Sequence, residues 1–262
     1  MAAVETVLDA ARAAGRPSLV GYVTGGVRPD WPDLVTAQAG AGADVIEIGL
    51  PFSDPVLDGP VVQEASARTI AGGATTESIL AELRRSGPPG VPLVAMAYAN
   101  HAYRAGLTRY CAMLADAGFS GVIIPDVPVG ESAGLRAAAE ATGLDATLMV
   151  TPTTPEPQVR AIADATRGFL YVMSVMNTTG PARLNGVDSG YALASRARSI
   201  SARPALIGFG VDGPDRAAAA VRHADGVIVG SALMRLVLDG QPPAGVGAAV
   251  AALRDAIDGA SS

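Results

Sequence analysis

Short apolar runs alternate along the whole chain with stretches in which apolar residues recur every three or four positions. Apolar runs closed by Gly, Pro or Asp predict buried strands, and the 3.6-residue rhythm predicts amphipathic helices. Strands are expected at 19–23, 45–48, 92–98, 121–124, 146–150, 169–173, 205–208 and 226–229. Helices are expected at 4–14, 32–41, 61–71, 103–117, 131–141, 155–165, 188–201, 215–223, 233–238 and 246–257. A further helix starts at the capping pattern Thr75-Thr76-Glu77-Ser78 and runs to residue 85. The strand runs are almost continuously apolar, as parallel strands covered on both faces require. Eight strand–helix units in 262 residues predict an α/β protein. The expected architecture is a (β/α)8 TIM barrel formed by the whole chain, 1–262. It carries an extra N-terminal helix and a short phosphate-binding helix after the eighth strand. An open doubly wound sheet is the competing architecture. It is disfavoured by the strand count and by the lack of a Gly-rich dinucleotide fingerprint after the first strand.

Charge and composition narrow the partners. The formal net charge is −6 and no block of Lys or Arg occurs, which argues against nucleic acid and anionic membrane surfaces. No apolar run approaches the roughly 20 residues needed to span a bilayer. The start Met1-Ala2-Ala3-Val4-Glu5 lacks the basic and apolar segments of a signal peptide, so a cytoplasmic location is expected. The lone cysteine, Cys111, excludes an intramolecular disulfide and sits in a predicted helix as a core residue. His101 and His223 do not have metal-ligand spacing, and no metal is expected.

In a barrel the chemistry belongs at the C-terminal ends of the strands. Those ends carry uncommon residues here. Glu47 lies within the second apolar run, where an anion is costly to bury without a partner or a task. An inert, hydrogen-bonded strand glutamate is the competing reading. The loop that follows holds Asp54 and Asp58, and later ends carry Tyr98-Ala99-Asn100, Asp126, and Thr178-Thr179-Gly180 within 174–186. The seventh and eighth strands end in Gly208-Phe209-Gly210 and Gly230-Ser231. Glycine lets a ligand approach the backbone, and the free N–H groups of a helix start favour an anion. Gly180, Gly210 and Ser231 could therefore wrap a phosphate without any Lys or Arg, although ordinary tight turns would use the same glycines. Glu47 and Asp58 could divide acid and base roles if their environments differ. For Asp58 the plainer reading is turn chemistry in Asp58-Gly59-Pro60. Asp54 suits a turn cap or a partner-facing position.

The run from Ile46 to Pro60, Ile-Glu-Ile-Gly-Leu-Pro-Phe-Ser-Asp-Pro-Val-Leu-Asp-Gly-Pro, closely resembles the signature of the tryptophan synthase alpha subunit family. The likeness continues in order through Tyr98-Ala99-Asn100, Asp126-Val127-Pro128, Thr179-Gly180, Gly208-Phe209-Gly210 and Gly230-Ser231. The resemblance implies an aldolase-type carbon–carbon lyase. It would cleave indole-3-glycerol phosphate to indole and glyceraldehyde 3-phosphate in tryptophan biosynthesis. Glu47 matches the acid/base, and Asp58 the acid that meets the indole N–H. Thr179 matches the loop residue that orients that aspartate. Gly180, Gly210, Gly230 and Ser231 match phosphate contacts, and Tyr98, Asp126, Tyr171 and Phe209 match the surrounding pocket. The resemblance implies no cofactor in this subunit. The implied partner is a PLP-dependent beta subunit, which receives indole through a tunnel in an alpha2-beta2 heterotetramer. Pro51 and Asp54 match its partner-facing loop.

Two stretches depart from the pattern. Asn177 stands where glycine is usual, and Thr24-Gly25-Gly26-Val27-Arg28-Pro29 replaces a shorter turn after the first strand. The altered loop after the sixth strand, with Asn177, keeps open a free-standing lyase that releases indole. A non-catalytic regulator of a beta subunit is the alternative of another class, and the presence of both Glu47 and Asp58 argues against it.

Overall fold

Eight parallel strands close into a barrel in chain order. They are β1 (Ser18–Thr24), β2 (Val45–Gly49), β3 (Leu93–Met96), β4 (Phe119–Ile123), β5 (Asp145–Val150), β6 (Leu170–Met173), β7 (Ala205–Gly208) and β8 (Gly226–Val229). β1 pairs with β8 and completes the ring. The computed structural model describes residues 4–173, 186–208 and 210–260, without the side chains of 186–188. Among these residues no helix is long and apolar enough to cross a membrane.

The near-continuous apolar runs follow from burial on both faces of each strand. Successive side chains alternate between the barrel interior and the helical shell. Val20, Val45, Val94, Ile123, Tyr171, Leu206 and Ile228 form an inner cluster. Leu19, Ile46, Ile48, Ala95, Val122 and Val172 belong to a second cluster, packed under the helices. The interior is closed where the strands begin. The helix Val4–Ala13 contributes Val4 and Leu8 to the inner cluster, both fully buried. A Cβ on Gly121 would lie 3.2 Å from Val4 Cγ2, so glycine makes room for this plug. The helix is tied down by Glu5, whose backbone N–H donates to Asp145 Oδ2 at 3.0 Å and whose carboxylate pairs with Arg203 at 3.1 Å. With that end filled, the barrel's cleft lies at the opposite rim, where the strands end.

Most predicted elements are found within a few residues of their expected ends. The helix expected at 103–117 is two helices, Ala99–Ala105 and Leu107–Asp116. Gly106 separates them at φ +83°, a left-handed conformation that ends one helix and starts the next. The stretch expected at 131–141 divides into a 3₁₀ turn, Val129–Glu131, and the helix Ala133–Ala141. β3 is shorter than expected, because Tyr98 leaves the strand to become the N-cap of Ala99–Ala105. The helix after β8 is Ser231–Leu238, so Ser231 is its first residue. Thr75 and Ser78 do form a capping box, with Ser78 N–H donating to Thr75 Oγ1 at 3.1 Å and Thr75 N–H to Ser78 Oγ at 2.9 Å.

Truncating the plug should be costly. Leu8→Ala is expected to lower stability by about 2–5 kcal/mol, the range for a fully buried leucine. A lower urea midpoint at unchanged slope is the expected signature. An unchanged midpoint would show that the helix does not close the barrel.

Candidate active site

Glu47 sits in the middle of β2, facing Tyr22 of β1 on one side and Val94 of β3 on the other. Its neighbours Ile46 and Ile48 pack under the helices, so alternation turns Glu47 into the barrel. Glu47 is 2% exposed, and its Oε2 has no hydrogen-bond partner among the described residues. Burial raises its pKa from 4.5 to about 8, and the negative charge of Asp58 adds to the rise.

Asp58 lies on the loop between β2 and the helix Pro60–Ala71. Its N–H donates to Pro55 O at 3.1 Å, and Gln63 Nε2 donates to its carbonyl at 2.9 Å. These bonds turn the loop inward. The side chain accepts a 3.0 Å bond from Tyr98 Oη, which in turn accepts from Leu57 N–H at 3.0 Å. Burial raises the Asp58 pKa to about 6, and the Tyr98 bond opposes part of the rise. Tyr98 is held by stacking on Phe52, with ring centroids 5.0 Å apart. Asp126 Oδ1 accepts from Ala99 N–H at 2.9 Å, at the start of the helix that Tyr98 caps. It therefore braces the backbone that carries Tyr98.

One cleft at the open rim gathers Tyr22, Glu47, Asp58, Gly59, Val62, Met96, Tyr171, Gly210, Val211, Ile228, Gly230 and Ser231. Gly230 precedes the helix Ser231–Leu238, whose first N–H groups lack intrahelical acceptors. Gly210 has φ +80°. A Cβ on Gly59 would lie 3.8 Å from Ser231 Oγ, so the acidic loop reaches the start of this helix. The cleft thus has an acidic end with two carboxyls of different pKa and an end of backbone donors suited to an anion. Among the described residues no group of three or more His, Cys, Asp or Glu could hold a metal.

Of the residues singled out in the sequence, Glu47, Asp58, Tyr171, Gly210, Gly230 and Ser231 line this cleft. Tyr98 joins through its bond to Asp58, and Asp126 acts one step further out. Thr179, Gly180 and Phe209, and the altered position Asn177, lie outside the described residues. Asp54 is exposed and accepts from Ser53 Oγ at 2.5 Å. Cys111 is buried, as expected. Tyr22, Gly59, Val62, Met96, Val211 and Ile228 are cleft residues that the sequence did not mark. Tyr22 had one usable signal, an aromatic sharing a strand face with Val20 two positions before it.

A sequence profile of the tryptophan synthase alpha chain family matches residues 8–253. The tryptophan synthase alpha chain of Rhizorhabdus wittichii is 41% identical over 230 residues, covering 86% of this chain and 84% of its own. That of Picosynechococcus sp. is 37% identical and covers 95% of each chain. A ligand-free crystal structure of tryptophan synthase from M. tuberculosis superposes with a TM-score of 0.87 at 32% identity, covering 98% of this chain and 100% of that one. The alpha subunit from Legionella pneumophila gives 0.85 at 29% identity and covers 99% of both.

The buried carboxyl has a stability cost that depends on pH. Because the folded-state pKa of Glu47 is raised from 4.5 to about 8, its neutral form is favoured on folding. Stability is therefore lost as pH rises through that window and stays reduced above it. Glu47→Gln removes the titration. It should be more stable than wild type above about pH 8 by on the order of a few kcal/mol, with the gap shrinking towards pH 5. A gap independent of pH in denaturant titrations would contradict the assignment.

Proposed function

This chain belongs to the tryptophan synthase alpha chain family, and from that premise we propose how its cleft splits indole-3-glycerol phosphate into indole and glyceraldehyde 3-phosphate. The observation that carries the proposal is a carboxyl neutral at pH 7, Glu47, in one cleft with a carboxyl largely ionised there, Asp58. Cleavage of the bond between indole C3 and the first chain carbon needs a proton on C3, which makes the ring a cationic electron sink. Neutral Glu47 supplies that proton. Ionised Asp58 accepts from the indole N–H and stabilises the positive charge. The hydroxyl on the first chain carbon then gives its proton to the Glu47 anion. The carbon–carbon bond breaks, its electron pair restores the indole ring, and the chain leaves as an aldehyde. Glu47 ends protonated, so the cycle closes on one carboxyl with no cofactor.

The same proposal assigns the rest of the site. Gly210, Gly230 and Ser231 bind the phosphate through backbone N–H groups and the serine hydroxyl, which suits a protein with a net charge of −6. Tyr171 walls the indole pocket. Tyr98 positions Asp58, and Asp126 steadies Tyr98. Thr179, Gly180 and Phe209 keep the roles implied by their match to the family. The chain works as one domain, 1–262, in the cytoplasm. Its partner is a PLP-dependent beta subunit in an alpha2-beta2 heterotetramer, which takes up the indole. The exposed apolar residues Val56 and Leu57, on the acidic loop itself, support a docking face there.

The pH dependence of kcat/KM tests the acid pair. Activity should rise as Asp58 ionises near pH 6 and fall as Glu47 ionises near pH 8. A profile flat between pH 5 and 9 would contradict the assignment. Asp58→Asn should lower kcat by about a hundredfold or more while glycerol phosphate affinity stays near wild type. Unchanged indole release by Glu47→Gln would remove the acid/base from this reading. Adding a cognate beta subunit should accelerate turnover, and no acceleration would favour a free-standing lyase.

A further inference from the structure

Tyr22 crosses the floor of the cleft from one functional end to the other. A Cβ on Gly230 would lie 3.7 Å from Tyr22 Cβ and Cγ, which places the root of the side chain beside the anion-binding helix start. At the other end, a Cβ on Gly49 would lie 2.0 Å from Tyr22 Oη and 2.7 Å from Cζ. The phenol therefore rests on the bare backbone of β2, two residues beyond Glu47. No other amino acid at position 49 would let the ring lie there.

The device occurs twice. Tyr22 is in register with Glu47, and Gly49 lies two residues further along β2. Tyr171 is in register with Leu206, and Gly208 lies two residues further along β7, where a Cβ would be 2.4 Å from Tyr171 Oη. In each case a tyrosine leans across the adjacent strand and is admitted by a glycine. Both tyrosines line the cleft. Tyr22 Oη has one hydroxyl contact among the described residues, Thr24 Oγ1 at 3.4 Å, which is long for an O–H···O bond. Burial and the charges of Asp58 and Glu47 hold the phenol well above its ordinary pKa, so it remains a neutral donor.

A substrate with its phosphate at the Gly230 end and its reacting carbon beside Glu47 must lay its three-carbon chain over this floor. We propose that Tyr22 Oη hydrogen-bonds a hydroxyl of that chain and so selects a hydroxylated substrate. The inference rests on the proposed function and deepens it. Tyr22 would orient the chain hydroxyl for proton transfer to Glu47, while the ring and phosphate are held by other groups.

The test compares Tyr22→Phe with wild type in the full-length chain, with two ligands. One is indole-3-glycerol phosphate. The other is indole-3-propanol phosphate, which keeps the ring and the phosphate but lacks both chain hydroxyls. The variant is expected to lose about tenfold in kcat/KM for the substrate, the size of one hydrogen bond. Its inhibition constant for the propanol analogue should stay within about twofold of wild type, which also reports an intact fold. A kcat/KM within twofold of wild type would overturn the proposal. So would an equal loss for both ligands, because Tyr22 would then act through ring packing alone. A wild-type chain that binds neither ligand would overturn the functional reading together with this one, a result distinct from failure at Tyr22 alone.

Discussion

The site depends on the desolvation of one carboxyl. β2 carries Glu47 into the interior of a closed barrel, where an anion loses most of its hydration. The group responds by holding its proton to about pH 8. That makes it an acid at neutral pH, and it becomes a competent base once the proton has been given away. Val4 and Leu8 fill the far end of the barrel, where the strands begin. A protein that needs this acid accepts a stability penalty for it above neutrality.

Asp58 is the necessary contrast. Burial raises its pKa to about 6 against about 8 for Glu47, because it starts lower, is less buried and is bonded by the Tyr98 hydroxyl, while Glu47 also feels the Asp58 charge. Two carboxyls in one cleft thus take opposite charge states near pH 7. The Tyr98 phenol contributes to that contrast, and it is held by Phe52 and by the helix start that Asp126 braces. The two tyrosines on the barrel wall, Tyr22 and Tyr171, are placed by a separate device. Each leans over a glycine of the next strand.

The barrel was legible because its strands are buried on both faces and therefore read as unbroken apolar runs. Helix ends were less so. The apolar rhythm of 103–117 runs through Gly106, and only a left-handed φ reveals two helices there. Glu47 stood out because an acid within an apolar strand run is unusual. Asp58 did not, because Asp-Gly-Pro is ordinary turn sequence and the Tyr98 hydroxyl that it meets lies 40 positions away in the chain. Its catalytic reading came from resemblance. The one signal Tyr22 carried was weak for a similar reason. An aromatic in a strand signals packing, and its reach across β2 depends on register with Glu47 and on the bare Gly49. Asp126 was legible as a strand-end acid, but its bond to the Ala99 N–H could not be read from spacing.

Burial keeps Glu47 protonated at neutral pH while Asp58 is ionised. Carboxyl-carbon NMR on the chain labelled at Glu and Asp measures both directly, with the resonances assigned by their loss in Glu47→Gln and Asp58→Asn. The expected result is a Glu47 midpoint near pH 8 and an Asp58 midpoint near pH 6, with the Glu47 midpoint falling when Asp58 is made neutral. Glu47 titrating near its ordinary value of 4.5, unaffected by Asp58→Asn, would contradict it.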